Sequence, residues 1–252
     1  MKRLYRLLVK DPLIVWLTVV MGSLSLIVSL ADRRNRWTDR IARLWARLLL
    51  TVAGVKVRVS GAEKIPRNGR FVFAGNHRSL IDTPVVLAHV PVRFLFLVNA
   101  KYVRIPFLGT HLRRTGHFSV EPEDVRASMR AMTEAARAIG ERGVSILLFP
   151  EGSRSPGPMR EFKDGVAYIA IKAGVPVIPF AIRGTREVLP IGSIEVRGGT
   201  VDLIFGEPIP TEGYHLKDRA RLTQVVFGRV SELLARAEGA ASASARAESR
   251  VA

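Results

Sequence analysis

From Pro12 to Ala31 the chain reads PLIVWLTVVMGSLSLIVSLA without a single charged residue. As a helix this run is roughly 30 Å long, about the thickness of a bilayer's hydrocarbon core. Such a run must be covered by protein or by lipid. Its flanks are basic on both sides: Lys2, Arg3, Arg6 and Lys10 before it, then Arg33, Arg34, Arg36, Arg40, Arg43 and Arg47. Without a lysine and arginine asymmetry, the positive-inside rule assigns no orientation. The following RWTDRIARLWARLLLTVAG puts Trp37, Ile41, Leu44, Trp45 and Leu48 at helical spacing beside arginines, as an interfacial helix does. Three arrangements fit: a single crossing, a two-helix hairpin lying in one leaflet, and a cleaved signal peptide, for which Ser29-Leu30-Ala31 offers a loose small-x-small site. The length of the run and the basic helix that follows at once favour the first two. Residues 1–54 are therefore expected to form membrane-anchoring helices.

Composition sharpens this. At 252 residues the chain is long enough for one full-sized domain plus a short appendage. Hydrophobic residues make up 48% and the mean hydropathy is +0.16, high for a soluble protein. The net charge of +17 favours an anionic partner: nucleic acid, an anionic lipid surface or a phosphorylated substrate. Aromatic residues are not interleaved with the basic ones as stacking platforms would be, so no nucleic-acid partner is expected. The absence of cysteine excludes disulfides, thiolate nucleophiles and cysteine-ligated metals. No His or acid cluster has ligand spacing, and no metal site is expected.

Beyond Val55 the texture changes. VKVRVSG, RFVFAGNH, RFLFLVNA, VSILLFPEG and VPVIPFAIRG are short apolar runs ending in polar residues or glycine, the pattern of largely buried strands. Val125, Met129, Met132, Ala136 and Ile139 step by four and three, giving one apolar face to a helix that Gly140 and Gly143 can end. Such alternation predicts an α/β fold, a central sheet flanked by helices. SIEVRGGTVDLIFGEPI predicts a hairpin turning at Gly198-Gly199. A last amphipathic helix is expected over 217–237, closing a domain of residues 55–237. The remaining 238–252 are too poor in large apolar residues to order themselves, and a disordered tail is expected there.

Two loops carry chemistry. AGNHRSLIDTP sets His77 five positions before Asp82, and FPEGSRS holds Glu151, Gly152, Ser153 and Arg154; both follow strand-like runs, where reacting groups of α/β sheets gather. Five helical residues turn through roughly 500°, so His77 and Asp82 cannot share a helical face. They can meet across a loop-to-helix junction, since Ser79 with Asp82 resembles a capping box and Pro84 suits a first turn. The carboxylate would then hold one ring nitrogen and set the tautomer. Read singly, Asp82 is equally well a helix cap, and Glu151 with Arg154 an ion pair in a turn.

Taken together the loops resemble the 1-acylglycerol-3-phosphate acyltransferases, within the wider glycerolipid acyltransferase group. His77 to Asp82 is similar to that family's NHxSxxD motif, and Phe149 to Ser155 to its FPEGTRS motif, with serine for threonine. AKYVRIPFLG, containing Lys101, and GVPVIPFAIRG are similar to two further family segments; order and spacing agree over about residues 40–210. The resemblance implies a mixed sheet of the glycerolipid acyltransferase type. It implies acyl transfer from acyl-CoA or acyl carrier protein to a lysophospholipid hydroxyl at the cytoplasmic face of the cell membrane, with no further cofactor. His77 would be the general base oriented by Asp82, Arg154 and Lys101 would hold the acceptor phosphate, and Glu151 would bind glycerol or steady Arg154. Backbone amides of either loop would supply the oxyanion donors. One departure stands out: in GHFSVEPED, Glu121 fills the family's acidic position but Pro122 stands where an arginine is expected. The missing contact would fall to Arg113, Arg114 or Lys101, and a lyso-aminolipid or other lysolipid becomes an alternative acceptor. Other readings are a serine hydrolase using Ser79 or Ser153, though neither lies on a nucleophile elbow, and a non-catalytic lipid-binding membrane protein. His89, His111, His117 and His215 are expected only to pack or face solvent.

Overall fold

The structure, a computed structural model, describes residue 4 and residues 6–251, and their side chains except at position 7 and from 240 onward. In chain order the longer elements are α1 (Asp11–Ser29), α2 (Arg36–Ala53), β1 (Val55–Ser60), β2 (Val72–Gly75), α3 (Asp82–His89), β3 (Phe94–Asn99), α4 (Leu108–Arg114), β4 (Phe118–Val120), α5 (Val125–Arg142), β5 (Ser145–Leu148), α6 (Gly165–Ala173), β6 (Val177–Arg183), β7 (Gly199–Phe205) and α7 (Arg219–Val251). The strands form one seven-stranded sheet in the order β1-β7-β6-β2-β5-β3-β4. Every neighbouring pair is parallel except β6 with β7, so the sheet is mixed, as expected.

Its central strands read as continuous apolar runs because both faces are covered. Alternate residues divide between two cores. Phe73, Phe94, Phe96 and Leu147 join α1, α2 and α3 on one face, whereas Val72, Ala74, Leu95, Ile146 and Leu148 join α5, α6 and α7 on the other. The connection leaving β2 therefore runs over one face and that leaving β5 over the opposite face. Because β2 and β5 are neighbours, a crevice opens between their C-terminal ends, where open α/β sheets bind ligands.

Among the described residues one helical run, Leu8–Ser29, is long and apolar enough to cross a membrane. It does not stand apart from the body. Leu17, Met21 and Ser25 are buried, while Val15, Trp16, Val19, Val20 and Ile27 face outward. Helix α2 divides its residues similarly: Ala46, Leu49, Leu50 and Ala53 are buried, and Trp37, Leu44 and Leu48 share the exposed side. Arg43, expected among the headgroup-seeking arginines, instead donates to the carbonyls of Val90 and Val92 at 2.7 Å each, satisfying the chain end of α3.

Two local expectations are corrected. The hairpin at Gly198-Gly199 does not form, because β7 gives one edge to β1 in parallel and the other to β6, leaving none for residues 193–197. That segment is held by other contacts, including Arg197 N–H on the Val188 carbonyl at 2.7 Å. The last helix starts at Arg219 and continues to Val251, through the stretch expected to be disordered. A helix already nucleated by the packed Leu222, Val226, Val230 and Leu234 extends at low cost into a segment rich in alanine, arginine and glutamate.

Asn76, just after β2, extends the sheet with its side chain. Its Nδ2 donates to the Ile182 carbonyl and its Oδ1 accepts the Ile182 N–H, both at 2.8 Å and fully buried. Asn76→Ala would strand both backbone groups. Loss of about 2–6 kcal/mol is expected, at about 1–3 kcal/mol per orphaned group. Unfolding followed by circular dichroism checks this, and a loss under about 1 kcal/mol would contradict it.

Candidate active site

Parallel pairing sets Ala74 beside Leu148, so the loops after β2 and β5 leave the sheet side by side. Glu151 ties them together. Only 4% exposed, it accepts the His77 N–H on Oε1 at 2.7 Å and the Arg160 N–H on Oε2 at 2.9 Å. Phe149 stacks on the His77 ring, with centroids 4.2 Å apart and planes 10° from parallel. The loop after β5 thus fixes both the imidazole plane, through Phe149, and the His77 backbone, through Glu151.

Asp82 sets the remaining degree of freedom. It is fully buried at the first turn of α3, and its Oδ2 accepts the N–H groups of Arg78 at 2.6 Å and Ser79 at 2.8 Å. The same oxygen lies 2.8 Å from His77 Nδ1. An ionised carboxylate can only accept, so in the neutral imidazole this contact selects the tautomer with its proton on Nδ1 and its lone pair on Nε2. One oxygen of Asp82 thus holds two amides of the loop ahead of α3 and faces the imidazole, while no helical N–H of α3 is capped by a side chain. The capping box forms in half: Ser79 Oγ turns away to donate to the Leu189 carbonyl at 2.7 Å. Asp82 Oδ1 is buried without a partner among the described residues.

His77 lies in the wall of a cavity of about 920 Å³, near the top of the range of roughly 300–1,000 Å³ usual for small-molecule sites. The walls are mostly apolar and come from α1, α2, α3, α4, α5 and the ends of β3 and β5. Lys101, Gly152, Ser153 and Arg154 line it with His77, whereas Asp82 and Glu151 stand behind the wall. Lys101 arrives there because β3 neighbours β5. Arg154 makes no hydrogen bond or ion pair with the described residues, and neither does the amine of Lys163, a lining cation that no motif announces. Gly152 has a φ of +74°, a left-handed turn, and a Cβ there would lie 3.2 Å from Lys163 Cε. Ser153 Oγ accepts from Arg160 Nη1 at 3.0 Å. With Ser79 also engaged, neither serine is held as a nucleophile by a histidine.

The arginines expected to replace the one missing at Pro122 are committed elsewhere. Arg113 donates to the Val103 carbonyl at 2.9 Å, and Arg114 to Ser29 Oγ at 2.8 Å. Glu121 pairs with Arg104, and Pro122 itself lines the cavity. Two histidines expected only to pack also line it, His111 and His117. Burial lowers the pKa of both; for His117 burial, then His111 and Arg93, bring it to about 3. Spacing gave no hint of these two, because neither lies in a motif.

The acyltransferase family model matches residues 56–183. Over 168 residues, 66% of the chain, it is 27% identical to a 1-acyl-sn-glycerol-3-phosphate acyltransferase of Limnanthes douglasii, and it spans 59% of that protein's length. A Haemophilus influenzae protein of the same name is 29% identical over 199 residues, covering 79% of this chain and 82% of that one. The crystal structure of the 1-acyl-sn-glycerophosphate acyltransferase PlsC from Thermotoga maritima superposes with a TM-score of 0.74 at 29% identity, over 92% of this chain and 98% of that one.

Proposed function

The chain belongs to the acyltransferase family, and on that premise we propose that it moves a fatty acyl group from an acyl thioester to the free sn-2 hydroxyl of 1-acylglycerol-3-phosphate, giving phosphatidic acid. The supporting observation is the 2.8 Å contact of His77 Nδ1 with Asp82, which leaves Nε2 bare at the wall of an apolar cavity. His77 Nε2 takes the acceptor's hydroxyl proton as that oxygen attacks the thioester carbonyl. The tetrahedral intermediate then expels the thiolate, and the imidazolium returns its proton to sulfur. The acceptor is itself the nucleophile, in keeping with a site where Ser79 and Ser153 are engaged elsewhere. The donor is acyl-CoA or acyl carrier protein, with no further cofactor.

Arg154 supplies a planar fork for the acceptor's phosphate, with Lys101 and Lys163 as further charges, and Gly152 and Ser153 shape the loop beneath it. Glu151 serves by positioning His77 and not by touching glycerol. Arg154→Ala is expected to raise the KM for the acceptor roughly tenfold or more, as loss of a hydrogen bond to a charged group does, while the donor's KM changes little. Equal effects on both would argue against phosphate binding. Pro122 at the cavity wall favours a second reading, an acceptor without a glycerol phosphate such as a lyso-aminolipid. For that acceptor the Arg154→Ala effect on KM disappears.

Residues 1–54 are the membrane-seeking part of this enzyme and 55–237 its catalytic part. Ile14, Thr18 and Met21 of α1 form cavity wall while Val15, Trp16 and Val19 face outward, so a crossing α1 would open the cavity. The hairpin lying in one leaflet fits better. Arginines near anionic headgroups add about 1 kcal/mol each. A coenzyme A or carrier-protein donor requires the cytoplasmic face of the cell membrane.

A further inference from the structure

The buried polar atoms without a partner among the described residues include two in the cavity wall, Ser25 Oγ and His111 Nδ1. They come from α1 and α4, and the two segments touch at two points. A Cβ on Gly22 would lie 2.5 Å from Phe107 Cε1, so the absent side chain lets that ring sit against α1. Seven residues further along each segment, Arg114 Nε donates to Ser29 Oγ at 2.8 Å. Both pairs are 85 residues apart in sequence. Ser25 and His111 each lie between these two contacts on their own segment, and both line the cavity.

Serines in helices usually satisfy themselves locally. On this helix Thr18 donates to the Ile14 carbonyl at 2.7 Å and Ser29 to the Leu26 carbonyl at 2.6 Å. Ser25, at 2% exposure, does neither. His117, whose ring lies 6.5 Å from that of His111, has its Nδ1 occupied by the Phe96 N–H at 2.9 Å. The unmatched pair is thus a hydroxyl, able to donate and accept, lining the same cavity as an imidazole whose charged form burial disfavours. A carboxylate would find no charge in this pair, and an unsubstituted chain leaves both groups unsatisfied.

We propose that Ser25 and His111 form a hydrogen-bonding subsite for a hydroxyl carried on the hydrocarbon chain of a bound lipid. The chain belongs to the donor's acyl group or to the acceptor's own; this assignment, though not the subsite, rests on the acyltransferase reading. The test is displacement of a fluorescent fatty acid from the purified full-length protein by saturated fatty acids, unsubstituted or hydroxylated at successive positions. One position is expected to bind about tenfold tighter than the unsubstituted chain, the effect of a single well-placed hydrogen bond network. Ser25→Ala and His111→Phe should each bring that ratio to one or below, with the unsubstituted chain in the same titration reporting that the cavity is intact. No preferred position in the wild type, or a preference surviving in both variants, would overturn the subsite. Turnover then assigns the chain. A preference for a hydroxyacyl thioester with plain acceptor points to the donor, and one for a hydroxyacyl lysolipid with plain donor points to the acceptor. Preferential binding with no turnover in either arm would sustain the subsite and defeat the acyltransferase reading.

Discussion

Replacing His77 by alanine is expected to lower acyl transfer by about two to four orders of magnitude, the contribution of a positioned general base. The protein should still fold. The side chain is 15% exposed, and its neighbours are held independently: Asp82 Oδ2 keeps the Arg78 and Ser79 amides, and Glu151 keeps the His77 amide, which alanine also has. His77→Gln provides the sharper control, because an amide can occupy the space and donate to Asp82 but cannot take the proton. Its loss should match that of alanine. Initial rates of thioester consumption and of lipid product, measured on preparations with matched circular dichroism and vesicle association, check both. Activity within about tenfold of wild type in either variant would sink the base role.

Asp82→Asn is expected to cost nearly as much activity, and Asp82→Ala to cost stability as well. The two should separate because Asp82 does two jobs with one oxygen. An amide oxygen can still accept from the loop, but it withdraws the charge that stabilises the imidazolium and permits the wrong tautomer; in hydrolase triads the equivalent change lowers kcat about 10⁴-fold. Alanine in addition orphans the N–H groups of Arg78 and Ser79 inside a fully buried turn. At about 1–3 kcal/mol for each buried donor, an unfolding loss of roughly 2–6 kcal/mol follows. Steady-state kinetics and thermal unfolding on the same samples give the answer. Asp82→Asn with more than about a tenth of wild-type activity, or Asp82→Ala as stable as wild type, would contradict this assignment.

Local patterns were legible in the sequence wherever one element's own periodicity decides its state. The strand-like runs that became β1, β2, β3, β5 and β6 and the stepped apolar face of α5 are of this kind. Edges, by contrast, are non-local. The two alternating runs around Gly198-Gly199 carry a real hairpin pattern, and only the claims of β1 and β6 on β7 defeat it. The candidate site shows the same division. His77 and Asp82 could be paired from a loop-to-helix argument because they stand only five positions apart. The role of Glu151 could not be read, since its partner amides, His77 and Arg160, depend on the pairing of β2 with β5. Lys163, Ser25 and His111 reach the cavity only through packing of distant segments, and no spacing rule announces that.

The most direct measurement places purified protein in vesicles with labelled acyl-CoA and 1-acylglycerol-3-phosphate and follows the label. Transfer to phosphatidic acid, one acyl group for each thiol released and lost in His77→Ala, is the expected result. Label accumulating as free fatty acid, or remaining in the thioester whichever lysolipid is offered, would contradict an acyltransferase with His77 as its base.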